Sequence, residues 1–169
     1  ADWQRTHYGW NVDPSIIRVV PDVLEAYEIF LRELVGAGNS VIVPTPAYMP
    51  FLSVPKLYDV NVIEIEMLQS GDTETGEAQW LFDFDAIERA FAAGCHAFVL
   101  CNPHNPIGKV LTLEEELRLS DLAAQYDVRI FNDEIHAPFV FEGKHIPFPT
   151  ISEQAALQSM TATSASKSF

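Results

Sequence analysis

The segment 132–136 (Asn-Asp-Glu-Ile-His) places two carboxylates and an imidazole within five residues. It directly follows an apolar run, and a carboxylate buried at such a place is costly unless a cation or a hydrogen-bond donor faces it. Asp133 could therefore bind a metal together with Glu134 or His136, or could face the protonated nitrogen of a ring. The competing interpretation is a solvated acidic turn, because charged side chains usually lie on the surface.

The segment 101–108 (Cys-Asn-Pro-His-Asn-Pro-Ile-Gly) is a second candidate. Its two Asn-Pro pairs and its glycine favour an extended, turning backbone that holds the amide side chains in set directions. Asn105 could then donate a hydrogen bond to an oxyanion. Turn chemistry alone, however, favours an ordinary structural loop over a binding site.

The third candidate is Lys167, which follows the hydroxyl-rich segment 161–166 (Thr-Ala-Thr-Ser-Ala-Ser). Hydroxyl groups can hold a phosphate, and a desolvated lysine has a lowered pKa and can attack a carbonyl to form a Schiff base. A single lysine is most often a surface residue. A lysine behind a strand and a run of hydroxyls is a less usual arrangement and indicates a chemical role.

Strand and helix patterns alternate along the chain, which predicts βαβ units, a mainly parallel sheet and the α/β fold class. In such sheets the site lies outside the carboxyl ends of the strands. Each candidate segment follows a predicted strand, so we expect all three to meet at one sheet edge. The expected strands are residues 16–20, 40–43, 60–65, 97–101, 128–131 and 157–163. The expected helices are residues 24–34, 47–58, 83–93 and 112–126, and residues 68–79 are expected to form a polar loop.

The charge of the chain limits its partners. The formal net charge of −14 over 169 residues argues against nucleic acid or an anionic membrane, because phosphate contacts need clustered Lys and Arg. A single bound phosphate is still compatible, since backbone N–H groups and hydroxyls can hold one. No uncharged apolar stretch of about 18 residues occurs, so we expect no transmembrane helix.

The cysteines indicate the cellular environment of the protein, and the chain ends indicate whether the chain is complete. Cys95 and Cys101 make neither a disulfide framework nor a metal knuckle, which favours a reducing, cytoplasmic environment. The first residues lack the basic-then-apolar order of a signal peptide. The chain stops shortly after Lys167, behind a polar run, and we therefore expect a truncated piece of a longer protein.

Taken together, these segments resemble the pyridoxal-phosphate (PLP) enzymes of the aspartate-aminotransferase fold, the class I/II aminotransferase family. The resemblance is nearest to the cystathionine β-lyase-like, or carbon–sulfur lyase, branch. It extends along almost the whole chain, and the motifs occur in the family's order and spacing. The segments that carry it are residues 9–14 (GWNVDP), 44–51 (PTPAYMPF), 101–110 (CNPHNPIGKV), 132–136 (NDEIH), 143–148 (GKHIPF) and 163–169 (TSASKSF).

The resemblance implies contacts to the ring of PLP. Lys167 would form the Schiff base with the cofactor and later move the substrate α-proton. Asp133 would pair with the pyridinium nitrogen, and Asn105 would donate to the phenolic oxygen. His136 takes a position near that oxygen where many relatives have a tyrosine, and Tyr48 would stack on the ring face.

The resemblance also implies contacts to the phosphate. The backbone N–H groups of Val23 and Leu24, at the start of their helix, would meet it, helped by Ser164 and Ser166. This chain departs from the family at Asp22, where relatives often have glycine, and a carboxylate there is unfavourable unless its side chain turns away. The arginines that bind the phosphate and the substrate carboxylate in the family lie beyond the end of this chain.

The fold implied is a three-layer α/β/α arrangement with a mainly parallel sheet, in which residues 1–169 form the central part of the large PLP-binding domain and the small domain is absent. The implied activity is β-elimination on sulfur-containing amino acids, such as cystathionine or cysteine conjugates, by a cytoplasmic homodimer. The implied partner is a small amino-acid substrate, with no nucleic acid and no membrane.

Three alternatives remain open at this point. Within the same fold, the chain could belong to an aminotransferase, because the same loops bind the cofactor in both. From another class, a metal-dependent hydrolase could use Asp133, Glu134, His136 and His104, although such sites need three or four ligands in fixed geometry. The isolated chain could also be a non-catalytic fragment that lacks a complete site.

Overall fold

A computed structural model describes residues 1–71 and 79–167 of the chain. The α-helices within these ranges are α1 (Asp2–Tyr8), α2 (Val23–Phe30), α3 (Met49–Ser53), α4 (Phe84–Ala92), α5 (Leu113–Gln125) and α6 (Glu153–Gln158). The β-strands are β1 (Ser40–Thr45), β2 (Asn61–Glu66), β3 (Leu68–Ser70), β4 (Gln79–Leu81), β5 (Ala97–Cys101), β6 (Arg129–Asp133) and β7 (Ser159–Ala162). A π-helical turn, Leu31–Val35, continues α2, and short 3₁₀ turns cover Pro14–Ile16, Val54–Tyr58, Ala137–Phe139 and Phe148–Thr150.

The main sheet has five strands in the order β2-β1-β5-β6-β7, and every neighbouring pair is parallel. This arrangement confirms the α/β class with a mainly parallel sheet. In the register of the sheet, Cys101 lies beside Asp133, and Asp133 lies beside Ala162. The carboxyl ends of the three strands therefore meet at one edge, where the predicted site segments begin.

Alternate residues of the strands enter two apolar clusters, as the two-residue period of a strand requires. Phe98, Leu100 and Ile130 join one cluster with residues of α4 and α5. Val99 and Phe131 join the other cluster with residues of α2. Helices cover both faces of the sheet with their apolar sides, so the sequences of the central strands are continuous apolar runs. All five residues of β5 are buried.

The expected strand at residues 16–20 is wrong. Asp13 caps a 3₁₀ turn that begins at Pro14, and its carboxylate accepts a hydrogen bond from the Ser15 backbone N–H at 2.8 Å. Ile17 is extended, but no strand forms at residues 17–20, and Val19 is 98% exposed. The run is apolar, yet it has no neighbouring strand.

Three further expectations need correction. Part of the expected polar loop at residues 68–79 forms an antiparallel pair, β3 with β4, and residues 72–78 lie outside the described ranges. The strand expected at 128–131 continues through Asn132 and Asp133, which are both buried. The last strand is shorter than expected, because α6 occupies residues up to Gln158. No helix in the described part of the chain is long and apolar enough to cross a membrane.

Candidate active site

The three candidate segments meet at the carboxyl edge of the sheet. Lys167 Nζ lies 3.1 Å from His136 Nε2, which joins the segment after β7 to the segment after β6. The His136 ring also bonds to the backbone of Pro103, in the segment after β5. This grouping is the one that the strand order requires, because the three strands are neighbours in the sheet.

Asp133 is the last residue of β6, and only 5% of its surface is exposed. Its Oδ1 accepts a hydrogen bond from the Ile135 backbone N–H at 3.0 Å. Burial raises the pKa of the carboxyl to about 6, with a smaller increase from the Glu134 charge and opposite effects from the Ile135 hydrogen bond and the Lys167 charge. The interpretation of this segment as a solvated acidic turn is therefore wrong, because the Asp133 side chain is buried. A buried carboxylate is stable as an anion only when a cation or hydrogen-bond donors lie next to it.

His136 is half-buried beside Lys167. Burial lowers the pKa of its imidazole, the nearby Lys167 charge lowers it further, and the hydrogen bond to the Pro103 backbone opposes both. A neutral ring that donates to the Pro103 carbonyl presents its other nitrogen as an acceptor. That tautomer leaves Nε2 as an acceptor for a hydrogen bond from the Lys167 amine.

Lys167 is exposed, and it follows a turn made by serines. Ser166 donates its backbone N–H to Ser164 Oγ at 3.1 Å, and the two hydroxyls lie 3.0 Å apart. The hydroxyls of this turn sit directly before the amine in the chain. They are placed to meet an anionic group close to Lys167.

Asn105 and Tyr48 lie on two loops that are tied together. His104 Nε2 lies 2.9 Å from the Pro46 carbonyl oxygen. The Asn105 side chain is half-buried and has no hydrogen-bond partner among the described residues, so its amide can donate to a ligand. Tyr48 is 39% exposed, and its ring packs edge-on against Phe51.

The start of α2 explains how the chain accommodates Asp22. The Asp22 carboxylate is the N-cap and accepts a hydrogen bond from the Glu25 backbone N–H at 2.8 Å. The Asp22 carboxylate is thus turned toward its own helix, which is the orientation that leaves room for a phosphate. Val23 and Leu24 form the first turn, where backbone N–H groups have no partner within the helix. Within the described residues, no hydrogen bond joins this turn to the serine turn before Lys167.

A buried carboxylate that was not among the predicted site residues lies behind the site. Glu116 on α5 has no exposed surface, and its Oε1 accepts a hydrogen bond from Asn102 Nδ2 at 2.7 Å. Burial raises the pKa of this carboxyl to about 8, and the Glu134 charge adds to the increase. The signal was available, because Glu116 shares a helix face with the buried Leu119, Ser120 and Ala123.

The four residues considered as ligands of a metal hydrolase do not form a common site. His104 faces the Pro46 carbonyl, and Glu134 Oε1 accepts hydrogen bonds from Asn132 and Phe148. Within residues 1–71 and 79–167, no three His, Cys, Asp or Glu side chains are grouped so that they could hold a metal ion. The geometry gives the metal interpretation no support.

Comparison with known proteins gives a consistent result. The model of the family aminotransferase class I and II matches residues 1–169. A cystathionine beta-lyase of Corynebacterium glutamicum is 38% identical over 162 residues, which are 96% of this chain and 41% of that protein. This chain therefore spans about two fifths of the length of that curated relative.

Two solved structures show the same fold. Cystalysin from Treponema denticola, which contains a pyridoxal 5'-phosphate cofactor, is 30% identical with a TM-score of 0.92; the match covers 99% of this chain and 42% of cystalysin. N-succinyldiaminopimelate aminotransferase from Mycobacterium tuberculosis is 26% identical with a TM-score of 0.90; that match covers 100% of this chain and 43% of the aminotransferase. A protein that contains pyridoxal 5'-phosphate and an aminotransferase thus share this architecture.

Proposed function

The chain belongs to the aminotransferase class I and II family, and we propose that it is the central, cofactor-binding part of a larger PLP-dependent carbon–sulfur lyase. The observation that carries the proposal is the presence of a buried carboxylate and a lysine amine at the same edge of the sheet. Asp133 is buried without a fully compensating cation, and Lys167 lies close enough for its charge to lower the pKa of that carboxyl. A cofactor with a protonated ring nitrogen and an aldehyde would use both groups.

The residues present fit PLP. When bound, PLP supplies an electron sink that stabilises negative charge at the substrate α-carbon. Asp133 would hold the proton on the ring nitrogen, because an anion in a buried site favours the protonated form of its partner. Lys167 would attach the cofactor and move the α-proton. His136 would accept a hydrogen bond from the amine of Lys167, or from the phenolic oxygen of the cofactor when that oxygen carries a proton.

Other residues would orient the cofactor. The unpartnered Asn105 amide would donate to the phenolic oxygen, and the exposed Tyr48 ring would stack on the cofactor. At the other end, the phosphate would meet the first turn of α2 at Val23 and Leu24, together with Ser164 and Ser166.

We propose elimination rather than transamination because of the similarity to the cystathionine beta-lyase of Corynebacterium glutamicum. The substrate class would be amino acids with a sulfur leaving group on the β-carbon. An aminotransferase is the second candidate, and the shared architecture of N-succinyldiaminopimelate aminotransferase favours it. The two candidates would differ in the residues that meet the substrate side chain, whereas Lys167, Asp133 and Asn105 would contact the cofactor in both.

The assembly and its location are also part of the proposal. Large apolar side chains that are almost fully exposed, such as Val19 at 98% and Phe141 at 92%, are costly in water. The remainder of the larger protein and a second subunit would cover them, which supports a homodimer. Both cysteines are free and buried, which is consistent with a cytoplasmic enzyme.

Covalent trapping tests the proposal. The full-length protein would be incubated with PLP, treated with borohydride and digested, and the pyridoxyl group should be found on the peptide that contains Lys167. Lys144 is an exposed lysine and serves as the matched control, so Lys144→Ala should still be labelled and Lys167→Ala should not. A pyridoxyl group on Lys109 or Lys144 of the wild-type protein would reject the assignment.

A further inference from the structure

A second carboxylate is buried directly beside Asp133. Glu134 is only 1% exposed. Its Oε1 accepts hydrogen bonds from Asn132 Nδ2 at 2.7 Å and from the Phe148 backbone N–H at 2.9 Å. Two adjacent buried carboxylates repel each other and lose their hydration, so both are ionised only if positive charge lies close to them.

His145 is the group that faces Glu134. Its Nε2 lies 3.2 Å from Glu134 Oε2, and the two side chains are 0% and 1% exposed. The contact has the distance of an ion pair, although it lacks the alignment of a hydrogen bond. Within the described ranges, no Lys or Arg pairs with Glu134. The imidazole is therefore positioned as the counter-charge of this carboxylate.

Other titratable groups around the pair do not supply a positive charge. From α1, the Tyr8 ring packs edge-on against His145, and burial together with the Glu134 charge raises the pKa of its phenol, which keeps it neutral. From α5, Glu116 adds a carboxyl whose pKa is raised to about 8, chiefly by burial. The charge of Lys167 lowers the pKa of Asp133, and Lys167 makes no ion pair with Glu134 among the described residues.

We propose that His145 carries a proton and balances the charge of Glu134, and that it thereby keeps the adjacent Asp133 anionic for the ring nitrogen of the cofactor. His145 would be a positioning residue, because it touches Glu134 and not the cofactor. The inference rests on the proposed function, since it concerns the same Asp133. The proposal gives segment 143–148 a role in the cofactor site. In the sequence, this segment was only one of those that carry the resemblance to the family.

The mechanism makes an unusual prediction for a pair of variants of the full-length protein. His145→Gln removes the positive charge and leaves Glu134 unopposed, so Asp133 is harder to ionise and PLP should bind about tenfold more weakly, the equivalent of about one pKa unit. Adding Glu134→Gln to His145→Gln removes the unopposed carboxylate. The double variant should therefore regain most of the lost affinity. A purely structural role for the pair predicts the reverse order, with the double variant the weakest binder.

An analogue of PLP with carbon in place of the ring nitrogen is the matched control. It has no group that needs Asp133 as an anion, so the wild-type protein and His145→Gln should bind it equally well. If His145→Gln bound both PLP and the analogue tenfold more weakly than the wild-type protein, the proposal would be contradicted. Failure of the wild-type protein to bind PLP at all would instead reject the proposed function.

A measurement on the wild-type protein covers the case in which His145→Gln does not fold. In protein labelled with ¹⁵N-histidine, the ring nitrogens of His145 should both carry protons at pH 7, in the protein with PLP and in the protein without it. A neutral His145 ring would overturn the proposal whatever the variants do.

Discussion

His104 Nε2 lies 2.9 Å from the carbonyl oxygen of Pro46, and this contact joins the two loops that present Asn105 and Tyr48. His104 is 3% exposed, and burial lowers the pKa of its imidazole. Because a carbonyl oxygen can only accept, Nε2 must carry the proton and donate it to Pro46. The loop after β5 is thus fixed to the loop after β1 on the same edge of the sheet.

Breaking this contact should loosen the cofactor site. In the full-length protein, His104→Ala leaves the Pro46 carbonyl without its donor, and a lost buried hydrogen bond costs about 1 kcal/mol or more. We expect the dissociation constant of PLP to rise roughly fivefold to tenfold. His96→Ala is the control, because His96 is exposed and precedes β5 at the opposite edge of the sheet. Equal affinity of the two variants would show that the loop contact has no effect on the site.

Replacing Asp133 should separate cofactor attachment from turnover. In Asp133→Ala, Lys167 can still be trapped with PLP, but the ring nitrogen loses the anion that keeps it protonated. Electrostatic groups of this kind contribute several kcal/mol, so turnover should fall by a factor on the order of 10² or more. The comparison is with Asp121→Ala, an exposed aspartate on α5. Near-normal turnover of Asp133→Ala would mean that another group holds the ring.

The pKa of Glu116 predicts how stability depends on pH. The pKa of this carboxyl is raised by burial from 4.5 to about 8, so between these values the folded protein holds a proton that the unfolded chain releases. Stability conferred by the protonated form is present at low pH and is lost as pH rises through about 8. Glu116→Gln mimics the protonated form. Its advantage over wild type should grow between about pH 5 and 8.5 to on the order of a few kcal/mol.

Thermal unfolding midpoints of the full-length protein at several pH values measure this effect. Glu114→Gln is the control, because Glu114 lies two positions away on the same helix and is exposed. Asp133 also causes a loss of folding stability as pH rises, but at lower pH, because its pKa is raised to about 6. Both variants retain Asp133, so its contribution cancels when their stabilities are compared. A constant difference between Glu116→Gln and Glu114→Gln across the pH range would show that Glu116 is already ionised in the folded protein.

The sequence predicted the sheet well where apolar runs are buried. Val41–Val43 and all of β5 are apolar because both of their faces are covered, so the pattern and the structure coincide. Residues 16–20 are also mostly apolar, but Arg18 interrupts the run and the segment remains unpaired. Strand pairing is a tertiary property, and periodicity does not report it.

Some contacts of the site follow from the sequence pattern, and others do not. Lys167 and His136 could be expected to meet, because both follow strand ends in a parallel sheet. Asp133 looked like part of a turn, since charge usually indicates exposure, and only its neighbours show that it is buried. Glu134 and His145 are separated by an irregular segment with no regular spacing, so their contact could be found only in three dimensions.

The reaction type is tested by asking whether turnover needs a keto acid. The full-length protein, loaded with PLP, should release pyruvate from cystathionine or a cysteine conjugate without any added keto acid. Elimination returns the cofactor to its starting form in every cycle, whereas transamination leaves the substrate amino group on the cofactor and stops until an acceptor removes it. PLP stabilises the same negative charge in both routes, and the surrounding protein decides which route follows.

Pyruvate would be followed with a coupled dehydrogenase, and Lys167→Ala would serve as the inactive control. We expect many turnovers per subunit from the wild-type protein and no more than background from the variant, because only the wild type retains the amine that moves the α-proton. Addition of a keto acid should leave the rate unchanged. Consumption of the substrate that needs an added keto acid and releases no pyruvate would assign the protein to the aminotransferases. It would leave the roles of Lys167 and Asp133 intact, since both routes require them.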